Sequence, residues 1–261
     1  MVGGLSIRDV SKSFNRNGEE LVALNHVSLD IEAGSFVSVI GPSGCGKSTL
    51  LRLIAGLNQA DEGELLLDGE PIKEPGCDRV LVFQNPTLFP WLNISNNIAF
   101  GLKAGRKHRD KAEIQEKVAA NIRLVGLEGF EKSYPHQLSG GMCQRASLAR
   151  SLVGNPRLLL LDEPLGALDA FTRMNMQDEL LRIWEQENMT MIMVTHDVDE
   201  AIYLSDKVIV MSARPAKIEK IIDIKMTRPR ARSGEEFLLY RSKILKLLNY
   251  GGKEVEIGYY I

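Results

Sequence analysis

Apolar positions along the chain change period several times, and each change marks an element. Leu5-Ser6-Ile7-Arg8-Asp9-Val10 alternates. Leu21–Leu24 and Val27–Ile31 are short apolar runs flanking Asn25-His26. Together they predict an antiparallel hairpin. Ser35–Ile40 is mostly apolar, as a buried strand is, and runs straight into Gly41; a helical pattern follows from Lys47 to Leu57. Glu64–Leu67 before Asp68-Gly69 predicts a strand and its turn, and Arg79–Phe83 another strand ending at Gln84.

From about Pro86 to Gly154 the strand signals stop and helical patterns take over, with basic Arg106–Lys111 as an exposed connection. β signals return at Leu158–Leu161, Met191–Val194 and Lys207–Met211, separated by helical segments Thr172–Asn188 and Asp197–Ser205. A strand pair beyond Arg214 and a last helix over 234–248 complete the pattern. Strand–loop–helix units with short connections predict an α/β fold with a mixed, mainly parallel sheet. An N-terminal antiparallel β subdomain and an inserted helical subdomain decorate it. The expected division is one domain, 1–261: a core of residues 3–85 and 155–225, a helical insertion of about 86–154, and a C-terminal extension of about 226–261.

Composition narrows the class. Hydrophobic residues make up 44% and charged residues 25%, an ordinary globular balance that excludes disordered, collagen-like and mucin-like chains. Lys+Arg 32 against Asp+Glu 34 leaves a net charge of −2, so binding nucleic acid through phosphate contacts is not expected. No apolar run is long enough to span a bilayer, and the start, MVGGLSIRDV, does not resemble a secretory signal. Cys45, Cys77 and Cys143 have no metal or disulfide spacing, which fits a reducing, cytoplasmic setting. Residues 225–232 carry four basic and no acidic side chains, expected to form a solvated linker, with contact to a partner or lipid headgroups as the other reading.

The chemistry concentrates in a few segments. Gly41-Pro42-Ser43-Gly44-Cys45-Gly46-Lys47-Ser48-Thr49 fits the phosphate-loop pattern GxxxxGK[ST]. Glycines let the backbone curl its N–H groups toward phosphate oxygens, Lys47 reaches the β- and γ-phosphates, and Ser48 offers its hydroxyl to Mg²⁺. The following helix adds its N-terminal dipole. Leu158–Leu161 ends in Asp162-Glu163-Pro164. In a phosphate-loop fold that strand is expected beside the loop's own strand, bringing Asp162 to the Mg²⁺ shell and Glu163 to the attacking water. Leu138-Ser139-Gly140-Gly141-Met142 before a helix at Cys143–Val153 is a second anion-binding helix start, or an ordinary cap with a flexible turn. Cys45, beside a helix N-terminus, is expected to react with thiol reagents and to be protected by bound nucleotide.

Taken in order, these segments resemble the ATP-binding-cassette ATPases, the nucleotide-binding subunits of ABC transporters. The likeness runs from Leu5 to about Ala216. LSGGM is similar to the family's LSGGQ, with Met142 in place of Gln. The resemblance implies that Gln84 touches Mg²⁺ or water and senses the membrane partner, and that His196 contacts the γ-phosphate. It implies that Gly166-Ala167-Leu168-Asp169 is the D-loop, and that Phe14 stacks on adenine. It also implies ATP and Mg²⁺ as ligands, bound between two chains head to tail: each ATP lies between one chain's phosphate loop and the other's Ser139-Gly140-Gly141. The second chain is simplest as a further copy, although a related ATPase subunit also fits.

Arg79–Leu92 and Asn96–Leu102, with Gln144-Arg145 and Asp199-Glu200-Ala201, are similar to importer ATPases for nitrate, sulfonate and taurine. The resemblance implies permease partners, an indirect solute-binding protein, and residence at the cytoplasmic face of the membrane. Pro86–Leu92 is the expected neighbourhood for the permease's docking helix. An exporter or lipid-extraction ATPase, or a soluble non-transport cassette, are the alternatives.

Overall fold

The computed structural model describes residues 3–16, 18–103 and 110–248. The chain opens with β1 (Leu5–Arg16), β2 (Glu19–Ile31), β3 (Phe36–Ile40), α1 (Lys47–Ile54), β4 (Glu62–Leu67), β5 (Glu70–Pro71) and β6 (Arg79–Val82). Helices follow: α2 (Ile94–Lys103), α3 (Lys111–Leu124) and α4 (Gly140–Leu152). The remainder alternates β7 (Leu158–Asp162), α5 (Ala170–Glu187), β8 (Thr190–Val194), α6 (Val198–Leu204), β9 (Lys207–Met211), β10 (Ile218–Asp223) and α7 (Glu235–Leu247).

Two sheets result. One is antiparallel, in the order β2-β1-β4-β5; the other runs β10-β9-β3-β8-β7-β6, parallel except where β10 pairs antiparallel with β9. The parallel strands are buried on both faces, which their nearly unbroken apolar sequences require. Leu158 and Leu160 point toward α1 and the antiparallel sheet, while Leu159 and Leu161 point toward the helices. Leu50, Leu51, Leu53 and Ile54 of α1 fill the space between the two sheets. A third cluster joins α6, β9 and β10 to Phe237 and Ile244 of α7.

Several expectations are corrected. The loop strand β3 and the carboxylate strand β7 are not neighbours, because β8 pairs with both and lies between them. All five residues of β8 are buried, so it belongs in the middle of the sheet. Asn25-His26 is not a turn: β2 runs straight through it as a bulge, with His26 at φ 52° opposite a register shift between Val10 and Lys12. The hairpin turn lies between β1 and β2, before Glu19. Among the described residues one strand rather than two follows Arg214. Helix α4 begins at Gly140, three residues before the expected start at Cys143. Of the basic connection expected at Arg106–Lys111, residues 106–109 lie outside the described residues, as do residues 249–261 of the C-terminal extension.

The basic run 225–232 is neither a solvated linker nor a free patch. Arg230 is 5% exposed and donates to the carbonyls of Ile202, Tyr203 and Ser205 at the end of α6. Arg228 pairs with Asp206 at 2.8 Å and lies 4.5 Å above the Trp184 ring. Arg232 lies 3.8 Å from the Tyr203 ring centroid. The last carbonyls of a helix have no partners within it, and cations are favoured at that end. The arm after β10 satisfies both conditions.

Candidate functional site

Every parallel strand ends on the same edge of the sheet, and ligands in such folds bind outside the carboxyl ends of the strands. Gly41 follows β3, Glu163 follows β7, Thr195-His196 follows β8, and Gln84 stands two residues past β6. The register pairs Val82 with Leu161 and Asp162 with Val194. It therefore brings Gln84, Asp162, Glu163 and His196 together.

The loop 41–46 turns tightly into α1. Gly46 caps the helix at φ 127°, and a β-carbon there would come 2.9 Å from the Ala23 carbonyl oxygen. Only glycine combines that backbone with that contact. Lys47 is 6% exposed and its Nζ donates to the carbonyls of Gly41 and Pro42, each at 2.9 Å. The ammonium is thus held inside the curl of the loop, over the bare N-terminus of α1. Ser43 and Gly44 are exposed, and Arg214 donates to the Gly44 carbonyl. Ser48 and Thr49 occupy the first turn of α1. Cys45 is 1% exposed and packs in the core with its sulfur 4.0 Å from Lys47 Nζ, so the expected reactive thiol is turned inward. The exposed thiol is Cys77.

Helix α1 leans across β8 to β7, which is how Ser48 reaches a strand two places away. Ser48 Oγ donates to Asp162 Oδ1 at 2.9 Å. Burial pushes the Asp162 carboxyl above its ordinary range; the Ser48 hydroxyl pulls it down and the Glu163 charge pushes it up again. Glu163 sits at φ 47°, a strained backbone for a side chain of its kind and one that concentrates at functional sites. Its Oε2 lies 3.2 Å from His196 Nδ1, and the imidazole is 63% exposed. Gln84 is exposed, with Nε2 3.0 Å from where a Gly166 side chain would start, so its amide lies against the D-loop.

The Ser139 helix start belongs to different packing from the phosphate loop: α4 lies against α2, α3 and β6, whereas α1 lies against β2, β7 and β8. Ser139 and Gly140 are exposed, and Ser139 Oγ accepts from Met142 N at 3.3 Å. The N–H groups of Gly140 and Gly141, at the first positions of α4, have no partner within the helix. Gly141 abuts the first turn of α5: a β-carbon there would be 2.8 Å from Thr172 Cγ2. Thr172 N in turn donates to Asp169 Oδ1 at 3.1 Å, so the D-loop aspartate caps α5 beside this cradle. Phe14 is 38% exposed on β1, opposite Leu21, a few ladder positions from where Ala23 and Leu24 pack on Gly46.

Sequence reasoning missed the groups behind His196. Glu200 is 4% exposed and accepts from Gln177 Nε2 at 3.2 Å; burial holds its carboxyl above the usual range. The available signal was a carboxylate set among Val198, Ala201 and Ile202, an apolar helix face. Arg150 was also missed: its guanidinium donates to the Thr87 carbonyl and hydroxyl at 2.7 and 2.8 Å, tying α4 to the segment after Gln84.

Among the described residues no cluster of three or more His, Cys, Asp or Glu side chains could hold a metal ion alone. A hydroxyl and a carboxylate that already meet beside a phosphate loop are what Mg²⁺ takes when substrate phosphates supply other ligands. Ser48 and Asp162 fit that requirement.

The profile of the ABC transporter family matches residues 24–166. The chain belongs to the ABC transporter family. This cassette is 50% identical over 248 residues to the aliphatic sulfonates import ATP-binding protein SsuB of Bacillus cereus, covering 95% of this chain and 97% of the relative. It is 47% identical to the nitrate import ATP-binding protein NrtD of Synechococcus elongatus, covering 88% and 84%. Among solved structures, a dimeric post-hydrolysis state of the ATP-binding cassette MJ0796 bound to ADP and Pi superposes with a TM-score of 0.75. That match is 30% identical, over 85% of this chain and 100% of that one. The cbiO1 protein of Clostridium perfringens, part of the ABC transporter complex cbiONQ, gives a TM-score of 0.75 at 25% identity, covering 86% and 90%. The cassette is an ABC ATPase, and its α/β fold is the one shared by these proteins.

Proposed function

We propose that this cassette powers a membrane importer for a small anion of the sulfonate or nitrate type. It works as a head-to-tail pair of chains at the cytoplasmic face, beneath permease subunits fed by a solute-binding protein. The observation that carries the pairing is the separation of two anion cradles within one chain. The phosphate loop and the Ser139 helix start are both open, and the second adjoins the D-loop rather than the first. A partner chain supplies what each lacks. The relatives named above as sulfonate and nitrate import proteins support the direction of transport and the class of solute.

In this reading Lys47 exchanges its two loop carbonyls for phosphate oxygens when ATP enters. Phe14 stacks on the adenine. Glu163 orients the attacking water, and His196, already beside it, meets the γ-phosphate. Ser48, Asp162 and Gln84 would hold Mg²⁺, which, when bound, draws negative charge off the phosphates. No helix among the described residues is long and apolar enough to cross a membrane; in this reading the permease holds the cassette at the membrane. A groove of about 770 Å³ lies between the core and the helical insertion, lined by Leu57, Leu81, Phe83 and Phe100 among others. It is the proposed seat of the permease's docking helix. Asn97, fully buried, braces the adjoining loop through both Phe89 backbone groups and the Leu92 and Asn93 carbonyls.

Glu163→Gln tests the pairing. It keeps the side-chain shape, removes the water-orienting carboxylate, and should yield a chain that dimerises with ATP on size exclusion. Adding Ser139→Arg should abolish that dimer while ATP binding to the monomer survives. A double variant that still dimerises would remove Ser139 from the interface. Gene disruption tests the solute: uptake of an aliphatic sulfonate or of nitrate should be lost, and retention of both would overturn the assignment.

A further inference from the structure

We infer that Glu200, Gln177 and Arg232 are positioning residues for His196, so that the C-terminal arm sets the rate of hydrolysis. The inference rests on the reading of His196 as the group that meets the γ-phosphate. The imidazole is exposed apart from its 3.2 Å contact with Glu163 Oε2, so its placement depends on that contact and on the backbone on either side. That backbone is held from behind. Thr195 is 2% exposed; its N–H donates to the Val39 carbonyl and its Oγ1 accepts the N–H of Asp197 at 3.1 Å. Asp197 Oδ1 in turn accepts the backbone N–H of Glu200 at 3.1 Å, and the Glu200 carboxyl lies beside the Thr195 hydroxyl. Glu200 Oε1 accepts from Gln177 Nε2 at 3.2 Å, and Gln177 Oε1 accepts from the Arg232 guanidinium. Arg232 is itself fixed over Tyr203, whose hydroxyl donates to Asp178 Oδ1 at 2.6 Å.

Each link is buried or capped by the next. Gln177 is 2% and Glu200 4% exposed, on helix faces otherwise built from Met176, Leu180, Val198 and Ile202. Apolar residues would pack there without the cost of burying an amide and a carboxylate. What the polar chain adds is direction. A buried hydrogen-bonded network favours one geometry, and this one runs from the arm, through α5 and α6, to the segment 195–197 that carries His196. The arm is pinned independently by Arg230 and Arg228. A shift of the arm therefore withdraws the donor from Gln177 and loosens the seat of His196, while the phosphate loop, which follows the neighbouring strand β3 and is held by its own Lys47 bonds, keeps its grip on ATP.

Arg232→Met tests this, because it removes the guanidinium that donates to Gln177 and lies over Tyr203 while keeping an unbranched side chain. With the full chain, kcat at saturating ATP should fall about three- to ten-fold with the KM for ATP within about two-fold, and Arg232→Lys should recover most of the loss. In the nucleotide-free protein the His196 ring resonances, assigned by their absence from His196→Ala, should shift in Arg232→Met and return in Arg232→Lys. If Arg232→Met does not fold by circular dichroism, Gln177→Met decides by the same readouts. Wild-type kcat, or an unmoved His196 signal, overturns the inference. Wild-type turnover in His196→Ala would instead remove the reading of His196 on which it rests, so the two failures are told apart.

Discussion

Arg230→Met should destabilise the protein by several kcal/mol, although it lies in a run whose charge pattern looks like exposed linker. The size follows from what the guanidinium touches. Two of its bonds are short, to the Ile202 carbonyl and to the Ser205 carbonyl at 2.7 Å. Charge-assisted bonds contribute about 1.5–3 kcal/mol each, so roughly 3–6 kcal/mol is lost. Against this, burial lowers the Arg230 pKa to about 10, roughly two to three units below an ordinary guanidinium, with the neighbouring Arg228 charge acting the same way. At 1.36 kcal/mol per pH unit that is a cost of about 3 kcal/mol, which methionine does not bear. The two carbonyls left without a donor add about 1 kcal/mol each. The balance is roughly 2–5 kcal/mol, or about 5–15 °C in Tm for a chain of this size. Urea denaturation followed by tryptophan fluorescence measures it, since Trp184 carries Arg228 on its face. Lys225→Met, at an exposed position of the same run, should change stability by no more than about 0.5 kcal/mol. A loss below about 1 kcal/mol for Arg230→Met would show that the arm is not pinned and that the solvated-linker reading was right.

Lys47→Ala should lower ATP turnover by about 10²-fold or more, because it removes a preorganised cation from the phosphates; steady-state hydrolysis reads this, and wild-type turnover would sink the loop assignment. Phe14→Ala should weaken ATP binding about five-fold, for stacking worth roughly 1 kcal/mol, and leave inorganic triphosphate unchanged; equal losses in calorimetry would make Phe14 structural. A maleimide should modify Cys77 first and Cys45 only on unfolding, as the 1% exposure of Cys45 requires; peptide mapping of protein labelled for a short time decides, and early labelling of Cys45 would contradict its burial.

Much of this protein was legible from local pattern, because its chemistry lies where the chain changes element. A strand running into GPSGCGKST, a strand ending in Asp162-Glu163, and glycines opening a helix are each complete within about ten residues. Such segments are recognisable without their surroundings, since backbone N–H groups at a helix start need no distant partner to bind an anion. The period switch from alternating to helical and back likewise marked where helices α2–α4 fall between β6 and β7. What the pattern could not carry was sheet order. Periodicity says that Leu158–Leu161 and Met191–Val194 are buried strands, not which lies beside β3; that choice falls to crossover packing, and it put β8 between loop and carboxylate. Nor could charge reveal burial. Arg228, Arg230 and Arg232 look like solvated cations until the carbonyls at the end of α6 and the rings of Trp184 and Tyr203 come within reach. Those partners lie about 25–44 residues earlier in the chain. The same holds for Gln177 and Glu200, 23 residues apart and joined only because α5 and α6 pack together. Residue types and spacing point to the groups proposed to bind ATP; only tertiary packing decides which groups hold them in place.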